Sequence, residues 1–250
     1  MLTSFVNWVM YVIVTEFVRL STMSIPPLSA ETDSARERLM RAGETLFADN
    51  RPNGVRLREL NALAGVRNDS AVHYYFGSRE GLLEQIVAAH MADVRQRVDE
   101  CTQQLCGGDQ SSPAAVRDAI AALSIPYAEK LSSERGRRFI QIMARVYEEP
   151  GSMPESRYIP SSASAMNQIR RSLPDIPPDV LDERVRLITK FVIAAFAART
   201  RMPADAPGRL DLDCFIVNLL DMATAAYFAV VPEPGHWPEN WPRVHAETLD

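Results

Sequence analysis

Cysteine and histidine are both scarce in this 250-residue sequence, which has three cysteines and four histidines. Cys101 and Cys106 lie close together on a predicted helix, and Cys214 stands alone. An odd number of cysteines without framework spacing excludes a disulfide scaffold and favours free thiols in a reducing compartment. The histidines are not spaced with the cysteines as zinc ligands would be. We therefore predict a cytoplasmic protein without a metal site.

Signatures of catalysis are also missing from the sequence. It has neither a glycine loop that could cradle a phosphate nor a nucleophile elbow, and Gly107-Gly108 is better explained as a helix break. No run of residues shows the alternation or the composition of a β-strand. These absences argue against nucleotide-binding α/β enzymes and hydrolases. We predict a helical protein that is not an enzyme and needs no cofactor.

An excess of positive charge is absent as well, since the formal net charge is −5. A protein that coats nucleic acid would be basic. A small DNA-binding head on an acidic body is compatible with this charge, because phosphate contacts depend on local charge. Arginines and acidic residues are also balanced within residues 31–80. DNA binding by that segment would depend on a few well-placed arginines.

The N-terminal stretch Leu2–Leu20 is apolar apart from Asn7, Glu16 and Arg19. A spanning helix needs about 20 mostly apolar residues, so this run is marginal, and it lacks the basic start and cleavage site of a secretory signal. Three interpretations stay open: a membrane anchor, a helix that packs against protein, or a segment outside the native product with Met23 as the true start. We favour the third, treat residues 1–30 as an extension, and expect no membrane partner.

Further along the chain, apolar residues recur at helical spacing between breaks rich in proline, glycine and serine. This pattern predicts an all-α fold with two parts. Residues 31–80 form a three-helix head with a helix-turn-helix, and residues 81–232 form a larger helical domain. Residues 233–250 are rich in proline, so we expect an irregular C-terminal tail.

The segment Leu57–Glu84 predicts the helix-turn-helix itself. Two short helices flank a tight turn at Ala64-Gly65-Val66, and such a unit exposes the N-terminal end of its second helix to the major groove of DNA. We place the start of that second helix at Arg67. Arginine pairs with guanine, asparagine with adenine, and serine or tyrosine holds phosphates. The predicted DNA-binding residues are Arg56, Arg58, Arg67, Asn68, Asp69, Ser70, His73, Tyr74 and Arg79.

Arg79 has two interpretations. It begins a fourth helix, where a cation opposes the helix dipole. This conflict is explained if Arg79 pairs with a DNA phosphate. The alternative is that its guanidinium is solvated or pairs with a nearby carboxylate, and the sequence leaves both interpretations open.

These residues resemble the DNA-binding head of the tetracycline-repressor (TetR) family. The matching features, in chain order, are Leu46-Phe47, Ala64-Gly65-Val66, Tyr74-Tyr75-Phe76, Ser78-Arg79-Glu80 and Leu82-Leu83. Three features depart from the family pattern. The stretch from Val66 to Phe76 is one residue longer than the common form, which leaves the base-reading register open by one position. Arg56 stands where a threonine often opens the second helix, and Asn61 replaces a small apolar residue.

The resemblance implies a larger helical domain that binds a small molecule and dimerises through its last two long helices. Apolar, alanine-rich faces suit the close approach of helices in a four-helix interface, and internal packing is the alternative for some of the same positions. The predicted interface residues are Leu187, Phe191, Ala194, Ala195, Phe215, Leu219, Met222 and Tyr227. Methionine and aromatic side chains suit an adaptable apolar pocket, with core packing as the alternative for each. The pocket candidates are Phe139, Ile142, Met143, Val146, Tyr147, Met166 and Ile169.

We therefore predict a homodimeric DNA-binding transcription regulator, a repressor that an apolar or amphipathic small molecule releases from a palindromic operator. Two alternative functions remain open. A helical small-molecule-binding protein or enzyme without a DNA role would need a cluster of ionisable groups in a cavity. A membrane-anchored regulator would depend on Leu2–Leu20.

Overall fold

The computed structural model describes residues 30–68, 70–106, 112–149 and 163–231. The N-terminal extension before residue 30, Asp69 and the predicted tail 233–250 lie outside the described residues, so the hypotheses about them stay predictions. None of the described helices is both long enough and apolar enough to cross a membrane.

Nine α-helices make up most of the described chain, and no β-strand occurs in it. The predicted all-α fold is confirmed. Short 3-10 turns at Pro52–Gly54 and Lys130–Ser132 lie between helices. In chain order the helices are α1 (Ala30–Asp49), α2 (Leu57–Leu63), α3 (Ala71–Phe76), α4 (Arg79–Leu105), α5 (Pro113–Glu129), α6 (Glu134–Glu148), α7 (Ala163–Ser172), α8 (Pro178–Arg201) and α9 (Leu212–Tyr227).

The head consists of α1, α2 and α3, packed around large apolar side chains. Leu39 and Phe47 on α1, Leu60 on α2 and Val72 on α3 are each no more than 1% exposed. Burial of a side chain of this size stabilises a fold by about 1.5–3 kcal/mol. Helices α2 and α3 have only seven and six residues, which is too short for stability in isolation. The shared core therefore holds them in helical form.

The turn after α2 ends the helix through a glycine, as the sequence predicts. Gly65 has a φ of 63°, a left-handed conformation that glycine adopts without steric cost. The Val66 amide then donates to the Asn61 carbonyl at 2.9 Å, and Arg38 donates its Nε to the Ala64 carbonyl at 2.9 Å. These bonds satisfy carbonyls that the helix end leaves unpaired.

The second helix of the pair begins later than the sequence predicts. Its expected start is Arg67, but α3 begins at Ala71. The side-chain oxygen of Asn68 accepts a hydrogen bond from the Ser70 amide at 2.9 Å, and the Asn68 carbonyl accepts one from the Ala71 amide at 3.1 Å. An asparagine that binds the backbone two residues ahead favours a turn over a helix. Arg67 and Asn68 therefore lie in a loop that leads into α3.

The 27-residue α4 joins the head to the body. It packs against α1 and α3 in the head and against α5 in the body. Ser78 caps its start, since Ser78 Oγ accepts a hydrogen bond from the Gly81 amide at 2.9 Å, and serine is a favoured residue at this position. Gly81 allows a close approach to the end of α3, because a Cβ at Gly81 would lie 2.1 Å from the Phe76 carbonyl oxygen.

The body, which contains α5 to α9, is built around α6. Four side chains of α6 are 0% exposed, namely Phe139, Ile140, Ile142 and Met143. The same helix packs against α1 of the head on one side and against α8 on another. Helix α6 is therefore common to the head–body junction and to the core of the body.

Replacing Gly81 with alanine is expected to destabilise the head. The added Cβ would overlap the Phe76 carbonyl, so the junction of α3 and α4 has to shift, at a cost of about 1–3 kcal/mol. The matched control is Gly54→Ala, because a Cβ at Gly54 meets no atom within 4 Å, and its effect should stay within about 0.5 kcal/mol. Urea unfolding of both variants measures the two free energies, and equal values would contradict the close approach.

Candidate nucleic-acid interface and body cavity

Helix α3 has one buried face and one exposed face. Ala71, Val72 and Phe76 are buried in the head core, whereas His73 is exposed and the Tyr74 residue is 72% exposed. The buried face fixes the rotation of α3 about its axis. His73 and Tyr74 are therefore presented outward from a helix that is held in place by packing.

The predicted contact residues before α3 lie in the loop that follows α2. Arg67, Asn68 and Ser70 are all exposed. The Asn68 side-chain oxygen is already engaged by the Ser70 amide, whereas Arg67 forms no ion pair with any described residue. The loop thus offers an unpaired guanidinium beside the N-terminal end of α3.

A groove at the edge of the head brings three of the predicted residues together. It runs between the 3-10 turn Pro52–Gly54, the start of α2 and the end of α3, and Arg56, His73 and Arg79 line it. The His73 Nδ1 atom lies 2.9 Å from the Gly77 carbonyl oxygen. With Nδ1 donating to that carbonyl, the second ring nitrogen of His73 is left to meet an outside group. Arg58, in the first turn of α2, is exposed as well.

The side chain of Arg79 is engaged within the chain. Its Nη1 donates to the Asn53 carbonyl at 2.9 Å, its Nη2 donates to Asn53 Oδ1 at 3.1 Å, and its Nε donates to the Glu80 carboxylate at 2.9 Å. This is the intramolecular alternative that the sequence leaves open. Asn53 is not among the residues predicted from the sequence, where its one signal is its place in the turn before α2. Together Arg79 and Asn53 hold that turn against the start of α4.

The body contains a cavity of about 240 Å³ between α5, α7, α8 and α9. Most of its surface is aliphatic, and none of the described residues that line it carries a charge. The polar groups in its wall are four side-chain hydroxyls. The lining residues are Ile120, Leu123, Ser124, Tyr127, Met166, Val185, Ile188, Thr189, Val192, Ile193 and Tyr227.

Of the residues predicted to form an apolar pocket, Met166 lines this cavity. Tyr147 is half-buried elsewhere on α6. The other five belong to the core and are no more than 1% exposed: Phe139, Ile142, Met143, Val146 and Ile169. Sequence reasoning misses the α8 residues of the cavity because it treats the apolar surface of that helix as one interface. In the structure the inner face of α8 lines the cavity.

The comparison with protein families adds an independent observation. Residues 121–226 match the family model described as Tetracyclin repressor-like, C-terminal domain. The body of this chain is thus similar to the C-terminal domain of TetR-family proteins. The matched range extends from α5 to the last turn of α9 and contains most of the cavity wall. The match of the body agrees with the TetR resemblance of the head residues.

Solved structures of TetR-family regulators are similar to this chain at low identity. LfrR of Mycobacterium smegmatis, a TetR-like transcriptional regulator, is 19% identical, with 82% of this chain and 100% of LfrR covered and a TM-score of 0.41. NalD of Pseudomonas aeruginosa, the secondary repressor of the MexAB-OprM multidrug efflux pump, is 16% identical, with 78% and 97% covered and a TM-score of 0.47. A TetR-family regulator of Streptomyces coelicolor is 16% identical, with 82% and 99% covered and a TM-score of 0.36. No curated protein matches the chain.

The outer faces of α8 and α9 expose apolar side chains that have no partner in the described chain. On α8, Leu187 is 56% exposed, and Phe191 and Ala194 follow it at helical spacing. On α9, Met222 is 52% exposed. Two other predicted interface residues, Ala195 and Phe215, are half-buried. The remaining two, Leu219 and Tyr227, are each 3% exposed, so they face inward in the single chain.

A buried carboxylate joins the head to the body. Glu44 of α1 has a side chain only 2% exposed, and its Oε1 accepts hydrogen bonds from Arg135 of α6 at 2.7 and 2.8 Å. The Nε2 atom of His90 on α4 lies 3.4 Å from the same oxygen. Burial by itself raises the pKa of the Glu44 carboxyl, but contacts with His90 and Arg135 together lower that pKa below its usual value. Glu44 is therefore charged at neutral pH, and its charge is held by two other helices.

A row of rings leads from this carboxylate to the cavity. The His90 ring stacks on Phe139 with centroids 4.5 Å apart and planes inclined by 15°. Phe139 in turn lies parallel to Tyr127, with centroids 6.3 Å apart and planes inclined by 8°. Tyr127 lines the cavity and donates its hydroxyl to Met91 Sδ at 3.6 Å. Contiguous packing therefore connects the cavity wall with α1 of the head.

Replacing Glu44 with glutamine is expected to destabilise the protein at neutral pH by about 1.5–3 kcal/mol, because hydrogen bonds to a charged group are lost. Glu37→Gln is the control, since the Glu37 side chain is 66% exposed and pairs with Arg41 at 3.8 Å. An exposed pair of this kind contributes about 0–1 kcal/mol. Chemical denaturation of the variants measures both effects.

The effect of Glu44→Gln should also depend on pH. The pKa of Glu44 is lower in the folded chain than in the unfolded chain. The stabilisation by this carboxylate is therefore complete above the unfolded pKa, near 4.3, and is lost as pH falls through the folded pKa. The difference in the free energy of unfolding between the wild type and Glu44→Gln should become smaller below about pH 4. A constant difference from pH 7 to pH 3 would contradict the charged contact.

Proposed function

We propose that this chain is a TetR-type homodimeric transcriptional repressor whose heads bind a palindromic DNA operator. The observation that carries the proposal is the presentation of α3. Its apolar side chains are buried, and Tyr74 and His73 are held in solvent at the outer surface of the head. A helix of this kind fits the major groove, and its neighbouring helix lies across the phosphate backbone.

The charges of the head support DNA contact through a small number of arginines. Arg56, Arg58 and Arg67 are exposed and form no ion pair with the described residues. Each can therefore meet a phosphate or a base edge without breaking a contact inside the protein. We assign Arg79 a positioning role, since it holds the turn before α2 through Asn53.

Dimerisation is supported by the exposed apolar face of α8 and α9. A second copy that packs there would cover Leu187, Phe191 and Met222, whose exposure to water is unfavourable. The same patch on both subunits gives a symmetric interface that closes on itself. Two heads related by this symmetry would contact two half-sites of a palindrome, about one helical turn of DNA or a multiple of it apart.

A small-molecule effector in the body cavity is the proposed signal. Its apolar wall suits an apolar or amphipathic molecule. A ligand that fits only a different arrangement of α5 and α8 would shift the population towards that arrangement. The ring row from Tyr127 to His90, and the contact of Glu44 beyond it, would carry the shift to the head and release the operator in the cytoplasm.

Replacing Arg67 or Tyr74 with alanine is expected to weaken operator binding about tenfold each, since each change removes a contact worth roughly 1–1.5 kcal/mol. The operator is obtained by selection of bound sequences from random duplex DNA, and affinity is measured by fluorescence anisotropy. Arg201→Ala is the matched control, because Arg201 is an exposed arginine at the end of α8 in the body. Unchanged affinity in both head variants would contradict the proposed interface.

Replacing Leu187 and Met222 together with glutamate is expected to convert the dimer into a monomer, because two charges would be buried in the interface. Sedimentation velocity measures the mass of the particle. Leu63→Glu is the control, since Leu63 in α2 is 54% exposed, nearly as much as Leu187 at 56%. A double variant that sediments as a dimer would place the interface elsewhere.

A further inference from the structure

We propose that the body cavity binds an uncharged, mostly apolar ligand of one or two rings that carries a hydrogen-bonding oxygen, and that the Tyr227 hydroxyl donates to this oxygen. The inference rests on the proposed effector role of the cavity and adds the chemical class of the ligand. It also names the residue that selects for that class.

The volume of the cavity limits the size of the ligand. A closed apolar cavity of about 150 Å³ holds a benzene molecule, and pockets for drug-sized molecules begin near 300 Å³. The cavity in this chain has about 240 Å³. It therefore suits a molecule larger than benzene and smaller than most drugs, such as a substituted ring or a fused pair of rings.

The lining of the cavity selects against charge. Aliphatic side chains such as Ile188 and Val192 form most of the wall, and no described lining residue is ionised at neutral pH. A carboxylate or an ammonium group in this space would lose its hydration without gaining a charged partner, which is unfavourable. An uncharged ligand loses little on leaving water.

Two hydroxyls in the wall already have acceptors. Thr189 donates to the Val185 carbonyl at 2.7 Å, and Tyr127 donates to Met91 Sδ at 3.6 Å. Tyr227 differs, because it is 3% exposed and its hydroxyl makes no hydrogen bond with any described residue. Burial alone raises the pKa of Tyr227, so this hydroxyl stays protonated. A ligand oxygen in the cavity would give this hydroxyl an acceptor.

The backbone at Tyr227 is held in place by Arg184 of α8. The guanidinium donates to the Tyr227 carbonyl at 2.7 Å and to the Ala229 carbonyl at 2.6 Å. These bonds fix the end of α9 against α8, so the Tyr227 ring is positioned before a ligand arrives. Ser124, on the α5 side of the cavity, is 6% exposed and likewise makes no hydrogen bond with the described residues. It offers a second hydroxyl to a ligand oxygen.

Three matched two-ring compounds test the class of ligand on the full chain: naphthalene, 2-acetylnaphthalene and 2-naphthoate. Isothermal titration calorimetry is expected to show that 2-acetylnaphthalene binds about tenfold more tightly than naphthalene, because its carbonyl accepts a hydrogen bond. The naphthoate anion should bind at least about tenfold more weakly than the ketone. Equal affinity of the ketone and the anion would contradict the proposal that the ligand is uncharged. Absence of binding by all three compounds would contradict the proposal that the cavity is a ligand site.

The Tyr227→Phe variant tests the proposed donor. It is expected to lower the affinity for 2-acetylnaphthalene about fivefold to tenfold and to leave the affinity for naphthalene unchanged. Tyr147→Phe is the matched control, because Tyr147 is a half-buried tyrosine outside the cavity wall, and it should change neither. Unchanged affinity of Tyr227→Phe for the ketone would overturn the assignment.

A cavity-filling variant tests the location of the site even if Tyr227→Phe does not fold. Val192→Phe places a larger side chain in the cavity and should weaken ketone binding at least about tenfold, with the helical circular dichroism retained. Retained ketone affinity in Val192→Phe would overturn the location of the site. Operator binding is measured on the same preparation without ligand. Failure to bind any operator would contradict the DNA role and leave the ligand result standing, so the two failures are distinguishable.

Discussion

The buried carboxylate of Glu44 is the contact on which the arrangement of head and body depends. A charge that is removed from water costs several kcal/mol unless hydrogen bonds compensate it. Arg135 of α6 supplies two such hydrogen bonds, and the His90 ring of α4 lies 3.4 Å from the same carboxylate oxygen. Hydrogen bonds depend on distance and angle, so a shift of α1 along the body would weaken the bonds to this carboxylate. The orientation of α3 relative to the body follows from it, because α3 packs on the head core that α1 helps to form.

The same contact explains how a cavity in the body can be connected to a surface in the head. Phe139 lies between His90, which faces Glu44, and Tyr127, which lines the cavity. Closely packed interiors respond to a shift by moving as units, because there is little empty space to absorb it. In the proposed mechanism a ligand against Tyr127 changes this packing, and the change reaches Glu44 through two ring contacts. The cavity and the DNA-binding surface of the head can therefore be coupled through contacts in space, although they are far apart in the sequence.

Helix α8 has two roles in the body. Its inner face, with residues such as Ile188 and Val192, lines the cavity, whereas Leu187 and Phe191 face outward. A ligand that displaces the inner face would therefore also move the surface that the proposed dimer uses. This gives a second physical connection between the cavity and the spacing of the two heads, independent of the row of rings.

The sequence by itself determined the all-α fold and the helix-turn-helix, because helical periodicity, the glycine at position 65 and the serine at position 78 act through contacts only a few residues apart. It did not determine the start of α3, which depends on a side-chain hydrogen bond of Asn68, or the internal role of Arg79. Only the tertiary structure decided which apolar residues form core, cavity wall or exposed face. Phe139, Met166 and Leu187 are alike in hydrophobicity and helical spacing, and their roles differ because of what other helices place against them. Tyr227 likewise lines the cavity because α9 packs its end against α8, a contact that no local pattern encodes.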